Sequence, residues 1–332
     1  MRVERLQISN SMLATVADCP TRAVLRLLGR GGTEPNASLE CGKRVHEVLA
    51  NYLRGSGPDT GILDPITVAY KAWCEQHLTS EDRRWWENVR NILEVWMERH
   101  PIHELPFTIE SADHIEVEFI FPLGEAKDGT PIDVIGNLDG IVKDKLTSGR
   151  YILEHKTTGR FNASFKADFQ FDPQNTEYLW AASQTLGEPV YASYVNAIQI
   201  STLPSDPTRR CKEHHKTYDI CGKEHVKEEM FPVVRTPDDI KSWRENALVL
   251  SGRLLRLARL AQSAGDEAGT RVPTLGRISG ACSYCEFKTW CLTNNRQLAL
   301  IDTLAPKQTR FDVEGPTKKL RSGLVDSDVS QE

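Results

Sequence analysis

Apolar positions along the chain change their period twice, and each change marks a different kind of element. Over 9–29, Leu13, Val16, Ala17, Val24, Leu27 and Leu28 can share one side of a helical run that opens behind Ser9 or Ser11, and Pro20 divides that run into two helices. A Gly-rich loop at 29–36 leads into a helix over 38–54 with Leu39, Val45, His46, Leu49 and Leu53 on one side. Helical spacing returns over 65–78 and over 81–99, where Trp85, Val89, Ile92, Leu93 and Trp96 recur once per turn. The period then drops to two: Ile115, Val117, Phe119 and Phe121 alternate with polar residues, the mark of a strand. PIDVIGNLDGIVKDK and GRYILEHKTT follow, separated by a Lys/Thr/Ser/Gly turn, and together read as a β-hairpin.

A helix over 172–186, a strand over 190–200, a polar insertion over 201–228, a short strand near 230–235 and a long helix over 236–264 complete the pattern. Beyond 296 the chain turns polar, and a frayed or disordered tail is expected there. No internal repeat is visible. Helices, then strands, then helix and strand make an α/β chain. Its expected parts are a helical N-terminal region (1–105), a core (106–235), a helix with a cysteine segment that closes onto the N-terminus (236–295) and the tail (296–332).

Composition narrows the classes. With 332 residues, 39% of them hydrophobic and 26% charged, the chain has material for a sizeable core and is not a disordered polymer. Lys and Arg number 41 against 46 Asp and Glu, a net charge of −5, so any polyanionic partner must be met by a local patch or through bound cations. No apolar run is long enough to span a bilayer, and MRVERLQISN lacks the apolar core of a secretory signal, so a soluble, cytoplasmic protein is expected. In that compartment eight cysteines are thiols or metal ligands rather than disulfides, and their spacing is uneven: Cys282, Cys285 and Cys291 cluster while the others scatter.

The sharpest chemistry lies in the hairpin. Asp139 ends Gly136-Asn-Leu-Asp139, and Glu154 and Lys156 share one face of the second strand, with His155 turned the other way. Pairing around the turn can bring Asp139 beside Glu154, so that two carboxylates and an ammonium converge. Oxygen ligands of this kind suit a hard divalent cation, and a neighbouring lysine can orient water or stabilise an oxyanion, which is equipment for phosphodiester hydrolysis. A surface hairpin with an ordinary cross-strand ion pair has the same spelling. His46, on an otherwise apolar helix side, reads as a ligand or a satisfied core histidine. Gln174 and Tyr178, one turn apart on the following helix, can look toward the same strands.

The ordered set Gly42-Lys-Arg-Val-His46, Gly136-x-x-Asp139, Glu154-x-Lys156-Thr157 and Gln174-x-x-x-Tyr178 resembles the RecB-type branch of the PD-(D/E)xK nuclease superfamily over roughly residues 9–291. The resemblance implies a restriction-endonuclease-like core, a central mixed sheet flanked by helices. It implies His46, Asp139 and Glu154 as ligands of Mg²⁺ or Mn²⁺, the backbone carbonyl of His155 as a further one, Lys156 as the catalytic lysine, and Gln174 and Tyr178 as supports of the active site or the DNA. The activity it implies is a DNA exonuclease acting on single strands or duplex ends in repair, recombination or processing. A flap or branched-DNA endonuclease and a non-catalytic DNA-end-binding subunit are the alternatives.

Cys282-x₂-Cys285-x₅-Cys291 offers three soft ligands on a short segment and needs a fourth. Iron–sulfur members of the same branch, CRISPR-associated exonucleases and helicase–nuclease B subunits among them, place one cysteine before the core and three after it. That resemblance selects Cys19 and implies a structural [4Fe–4S] cluster, with zinc or unligated thiols as alternatives. Cys211, His214, His215, Cys221 and His225 in the insertion read as a polar hairpin with incidental thiols, or as a zinc site; Cys41 and Cys74 read as buried helix-face thiols. Arg253, Arg256 and Arg259, spaced by three on the long helix, read as a ridge along a phosphate backbone or as a solvated face.

Overall fold

The computed structural model describes residues 5–30, 36–55, 61–202, 222–263, 280–292 and 323–325. The chain divides into two units, each assembled from separated stretches: Met1–Glu34, Glu118–Gly136 and Pro237–Glu332 form one, Pro35–Val117 and Asn137–Thr236 the other.

The first unit opens with a strand, β1 (Arg5–Ile8), and two helices, α1 (Asn10–Asp18) and α2 (Pro20–Leu27). The break falls where the proline demands it. Cys19 is extended, with φ −151° and ψ 99°, and Pro20 takes a first helical position, where its missing N–H breaks no bond. β1 lies parallel to the start of a long strand, β4 (Pro131–Asp144), with Leu6 opposite Ile132 and Ile8 opposite Val134. On its other side it pairs antiparallel with Gly323–Val325, a short strand in the segment expected as tail; the rest of 296–332 lies outside the described residues. Gly136 in β4 admits a neighbouring ring: a β-carbon there would stand 2.5 Å from Phe119 Cζ. The long helix α8 (Pro237–Ser263) packs on α1 and α2, burying Leu254, Leu255 and Ala258.

The second unit is a mixed sheet with helices. The later residues of β4 pair antiparallel with a two-residue strand, β2 (Phe107–Thr108), and with β5 (Arg150–Thr158); β5 runs parallel to β6 (Ala192–Gln199), and β6 runs antiparallel to β7 (Glu228–Val234). The parallel β5–β6 step needs a crossover, which α6 (Ala163–Phe169) and α7 (Pro173–Leu186) supply. Helix α3 (Ala37–Leu53), a π-helical turn (Pro65–Tyr70) running into α4 (Lys71–His77), and α5 (Trp86–Arg99) close over a core that includes Val45, Leu49, Tyr70, Ile92, Leu93 and Trp96, all fully buried. At α5 the buried indole of Trp96 donates to Asn196 Oδ1 of β6 at 3.1 Å, so this core is pinned by a satisfied polar contact as well as by packing.

The α/β class with its central mixed sheet is therefore as expected, with local differences. Leu39 is 72% exposed, not on the buried side of its helix. The helix expected from 81 begins at Trp86, because the Asp82 carboxylate takes the Arg84 N–H at 2.8 Å and closes a turn that competes with helix. Helix α6 and strand β1 carry no periodic signal long enough to read in advance.

Candidate active site

Everything in this site comes from the second unit. Helix α3 is started by Asn36, whose side-chain oxygen accepts the Ser38 and Leu39 N–H groups at 3.1 Å. One turn in, Gly42 lets the helix lie close on β5: a β-carbon there would stand 3.3 Å from Thr157 Oγ1. The next turn carries His46, so the glycine of Gly42-x-x-x-His46 sets how near the imidazole comes to the sheet. His46 Nδ1 meets Asp139 Oδ1 at 2.9 Å.

The β4–β5 ladder runs from Lys143 opposite Arg150 to Gly140 opposite Leu153, and the next step of that register faces Asp139 with Glu154. Asp139 Oδ2 accepts the His155 backbone N–H at 2.6 Å. Lys156 Nζ lies 2.5 Å from Glu154 Oε1 and donates to Gln174 Oε1 at 2.7 Å. Gln174 Nε2 in turn donates to the Tyr178 hydroxyl at 2.7 Å. Asp172 caps the helix by accepting the Gln174 N–H at 2.9 Å, which fixes the end from which Gln174 projects. His46, Asp139 and the His155 N–H thus form one hydrogen-bonded group, and Glu154, Lys156, Gln174 and Tyr178 form a second beside it on the neighbouring strand and helix.

Its electrostatics follow from burial opposed by partners. Burial disfavours charge on Asp139, but the His46 imidazole and the His155 N–H outweigh it and hold the carboxyl down at about 2. Burial likewise opposes the charged forms of His46 and Lys156, yet Asp139 and Glu154 respectively keep both above their usual values. Glu154 is different. Burial raises it to about 7 despite Lys156, and its Oε2 is buried with no hydrogen-bond partner. A 3% exposed carboxylate with an orphaned oxygen beside a low-pKa aspartate is a place where positive charge would be stabilised. The His155 ring faces away from Glu154, is pushed down to about 4 by burial, and contacts Asn196 Nδ2 at 2.8 Å through Nδ1.

One residue of the site is missed by the motifs. Ligand atoms of His46, Glu116 and Asp139 all lie within 4.8 Å of one another, the sole such set of three His, Cys, Asp or Glu among the described residues. Glu116 opens strand β3 (Ile115–Glu125) as a polar partner of Ile115 and Val117, and its alternation is shared by Glu118, so spacing alone cannot single it out. The residues present fit a hard divalent cation: two carboxylates and an imidazole within reach, and the orphaned Glu154 oxygen close by.

The thiols lie in the first unit. Cys19 is buried at the α1–α2 break, and Cys285 and Cys291 pack, half-buried, on the Leu25–Phe287–Trp290 cluster. Arg22 and Arg26 of α2 hold Glu286 at 2.9 and 2.6 Å, which brings the cysteine segment to the first helices. None of the described cysteines is in a disulfide, and no three of them gather within 4.8 Å. Cys41 and Cys74 are buried, Cys41 being pushed up to about 12 by that burial. Cys211, His214, His215 and Cys221 lie outside the described residues; His225 ends a short 3₁₀ turn, Gly222–His225. On α8, Arg253 and Arg256 are exposed, whereas Arg259 is paired with Asp128 and donates to Thr130 Oγ1 at 2.6 Å. The expected ridge therefore has one member already engaged within the protein.

The family model described as the PD-(D/E)XK nuclease superfamily matches residues 7–292. No curated protein matches the chain. Among solved structures, a candidate exonuclease from Eubacterium rectale aligns with a TM-score of 0.46 at 14% identity, over 77% of this chain and 82% of that one. Rai1 from Scheffersomyces stipitis aligns with a TM-score of 0.23 at 13% identity, over 79% of this chain and 72% of that one.

Proposed function

The chain belongs to the PD-(D/E)XK nuclease superfamily, and from that premise we propose that it is a Mg²⁺- or Mn²⁺-dependent DNA exonuclease of the RecB-type branch, acting on single strands or duplex ends. The observation that carries the reading is the meeting of Asp139, Glu154 and Lys156, with Lys156 Nζ held between Glu154 Oε1 and Gln174 Oε1. His46, Asp139 and Glu154 would hold the cation, with the His155 carbonyl as a further ligand. A divalent ion in such a set acidifies bound water and offsets charge on a phosphate. Lys156 keeps its proton and presents N–H donors at that point, while the Gln174–Tyr178 pair fixes its direction. DNA as the substrate, and exonucleolytic action on it, rest on the sequence resemblance.

A second cofactor belongs to this reading, a structural [4Fe–4S] cluster on Cys19, Cys282, Cys285 and Cys291, with zinc as the alternative.

The test is hydrolysis of 5′- and 3′-labelled single-stranded DNA with Mn²⁺, beside a circular control. Wild type should degrade the linear strands only, and Lys156→Ala and Asp139→Asn should each lose about 10²-fold or more. Activity that survives both substitutions removes the site assignment, and cutting of the circle moves the reading to an endonuclease.

A further inference from the structure

We propose that Glu116 is a ligand of the divalent cation in this centre, delivered by a distortion of strand β3; the proposal rests on the metal-dependent nuclease reading above. The motifs account for His46 from α3 and for Asp139 and Glu154 from the hairpin, and leave Glu116 without a role. Yet it is Glu116, not Glu154, that completes a set with His46 and Asp139 within 4.8 Å. Glu154 has given one oxygen to Lys156, and its other is buried without a partner. A cation seated against Asp139 would therefore meet Glu116 on one side and the orphaned Glu154 oxygen on another.

The backbone points the same way. Glu116 has φ +58° at the second residue of a strand, a left-handed conformation that a residue with a β-carbon adopts only under strain. Such distortions re-aim side chains beside functional sites. Asn137, two residues before Asp139 on β4, donates its amide to Glu116 Oε2 and so fixes the carboxylate, while its own Oδ1 is buried without a partner. Glu116 and Asp139 thus bring two carboxylates to one imidazole, a donor set that a divalent cation would bridge.

The experiment is a Mn²⁺ titration of the full chain followed by electron paramagnetic resonance of the free ion, with thermal melts in EDTA and in Mn²⁺. Glu116→Gln keeps the shape and the contact with Asn137 while removing the charge. It should weaken Mn²⁺ binding about tenfold or more and shrink the Mn²⁺-induced rise in Tm. In EDTA it should melt no lower than wild type, because a charge facing Asp139 has gone; a residue with only a structural role would lower that melt. Asn137→Ala, which removes that contact and keeps the carboxylate, should give a smaller loss of affinity. If Glu116→Gln is insoluble, Glu116→Asp retains the charge and shortens the reach: weakened binding supports the proposal and wild-type binding overturns it. Wild-type Mn²⁺ affinity and an undiminished thermal shift in Glu116→Gln overturn the proposal and leave the nuclease reading standing. Absence of Mn²⁺ binding in wild type defeats both.

Discussion

Asp139 is pulled from two sides, each oxygen by a different neighbour: Oδ1 by the His46 ring and Oδ2 by the His155 N–H. The two contacts fix the plane of the carboxylate before any ion arrives, so reorganisation on binding is small. The distance between His46 and Asp139 depends in turn on how closely α3 rests on β5, and that is set at Gly42 against Thr157 Oγ1. Gly42→Val should push the helix outward, cost about 1–3 kcal/mol of stability and weaken Mn²⁺ binding beyond what the stability loss explains. Melts and Mn²⁺ titrations on the same preparation would show it. A variant that melts lower but binds Mn²⁺ normally would mean that α3 recovers its place elsewhere.

At the scale of elements, α5 is tied to β7 by a partly buried pair, His100 Nε2 to Glu228 Oε2 at 3.2 Å. Burial opposes the charge of each, but the contact wins: His100 is held above its ordinary 6.5 and Glu228, helped also by Arg99, below its ordinary 4.5. The His100 contribution is complete below pH 6.5 and fades as pH rises through the higher folded value. The Glu228 contribution is present above pH 4.5 and fades as pH falls through the lower folded value. His100→Gln should therefore lower Tm more at pH 5.5 than at pH 9. An equal loss at both values would show that packing on Trp96, whose ring stacks with the imidazole at 4.8 Å, accounts for the effect.

The same scale shows what could be read in advance. The hairpin, α3, α5, α7 and the split between α1 and α2 were legible because each carries either several turns of apolar period or a proline that forces a break. The site motifs lie on those strongly patterned elements, so the strands and helices that carry them could be placed from the sequence. β1 has four residues and α6 seven, too few for a period to rise above chance. Glu116 was hidden for a different reason. Alternation marks a polar face but says nothing of a left-handed backbone angle, and a glutamate at φ +58° gives no signal in sequence.

Across the molecule, chain order and unit membership part company. The candidate nuclease residues sit in one unit; the four proposed cluster cysteines sit in the other, whose pieces are separated by long stretches of chain. A [4Fe–4S] cluster there would join the first helices to the segment after α8, with a loop closure worth about 4 kcal/mol in the simple entropy model. Protein purified without oxygen should be brown, with broad absorbance near about 400 nm, and Cys19→Ala should bleach it and lower Tm. Colourless protein with stoichiometric zinc would replace the cluster with the alternative. No helix among the described residues is long and apolar enough to cross a membrane.

That interleaving has a consequence during synthesis. Leu25, Val24 and Ala23 of α2 are fully buried, and α8, which covers α1 and α2, is made only after the whole of the other unit. At roughly 5–20 residues per second, the first helices wait on the order of 10–40 s for their cover. Throughout that interval a nascent chain presents an apolar helix pair to the cell, and the yield of soluble protein should depend on holding chaperones and on growth temperature long before any question of catalysis arises.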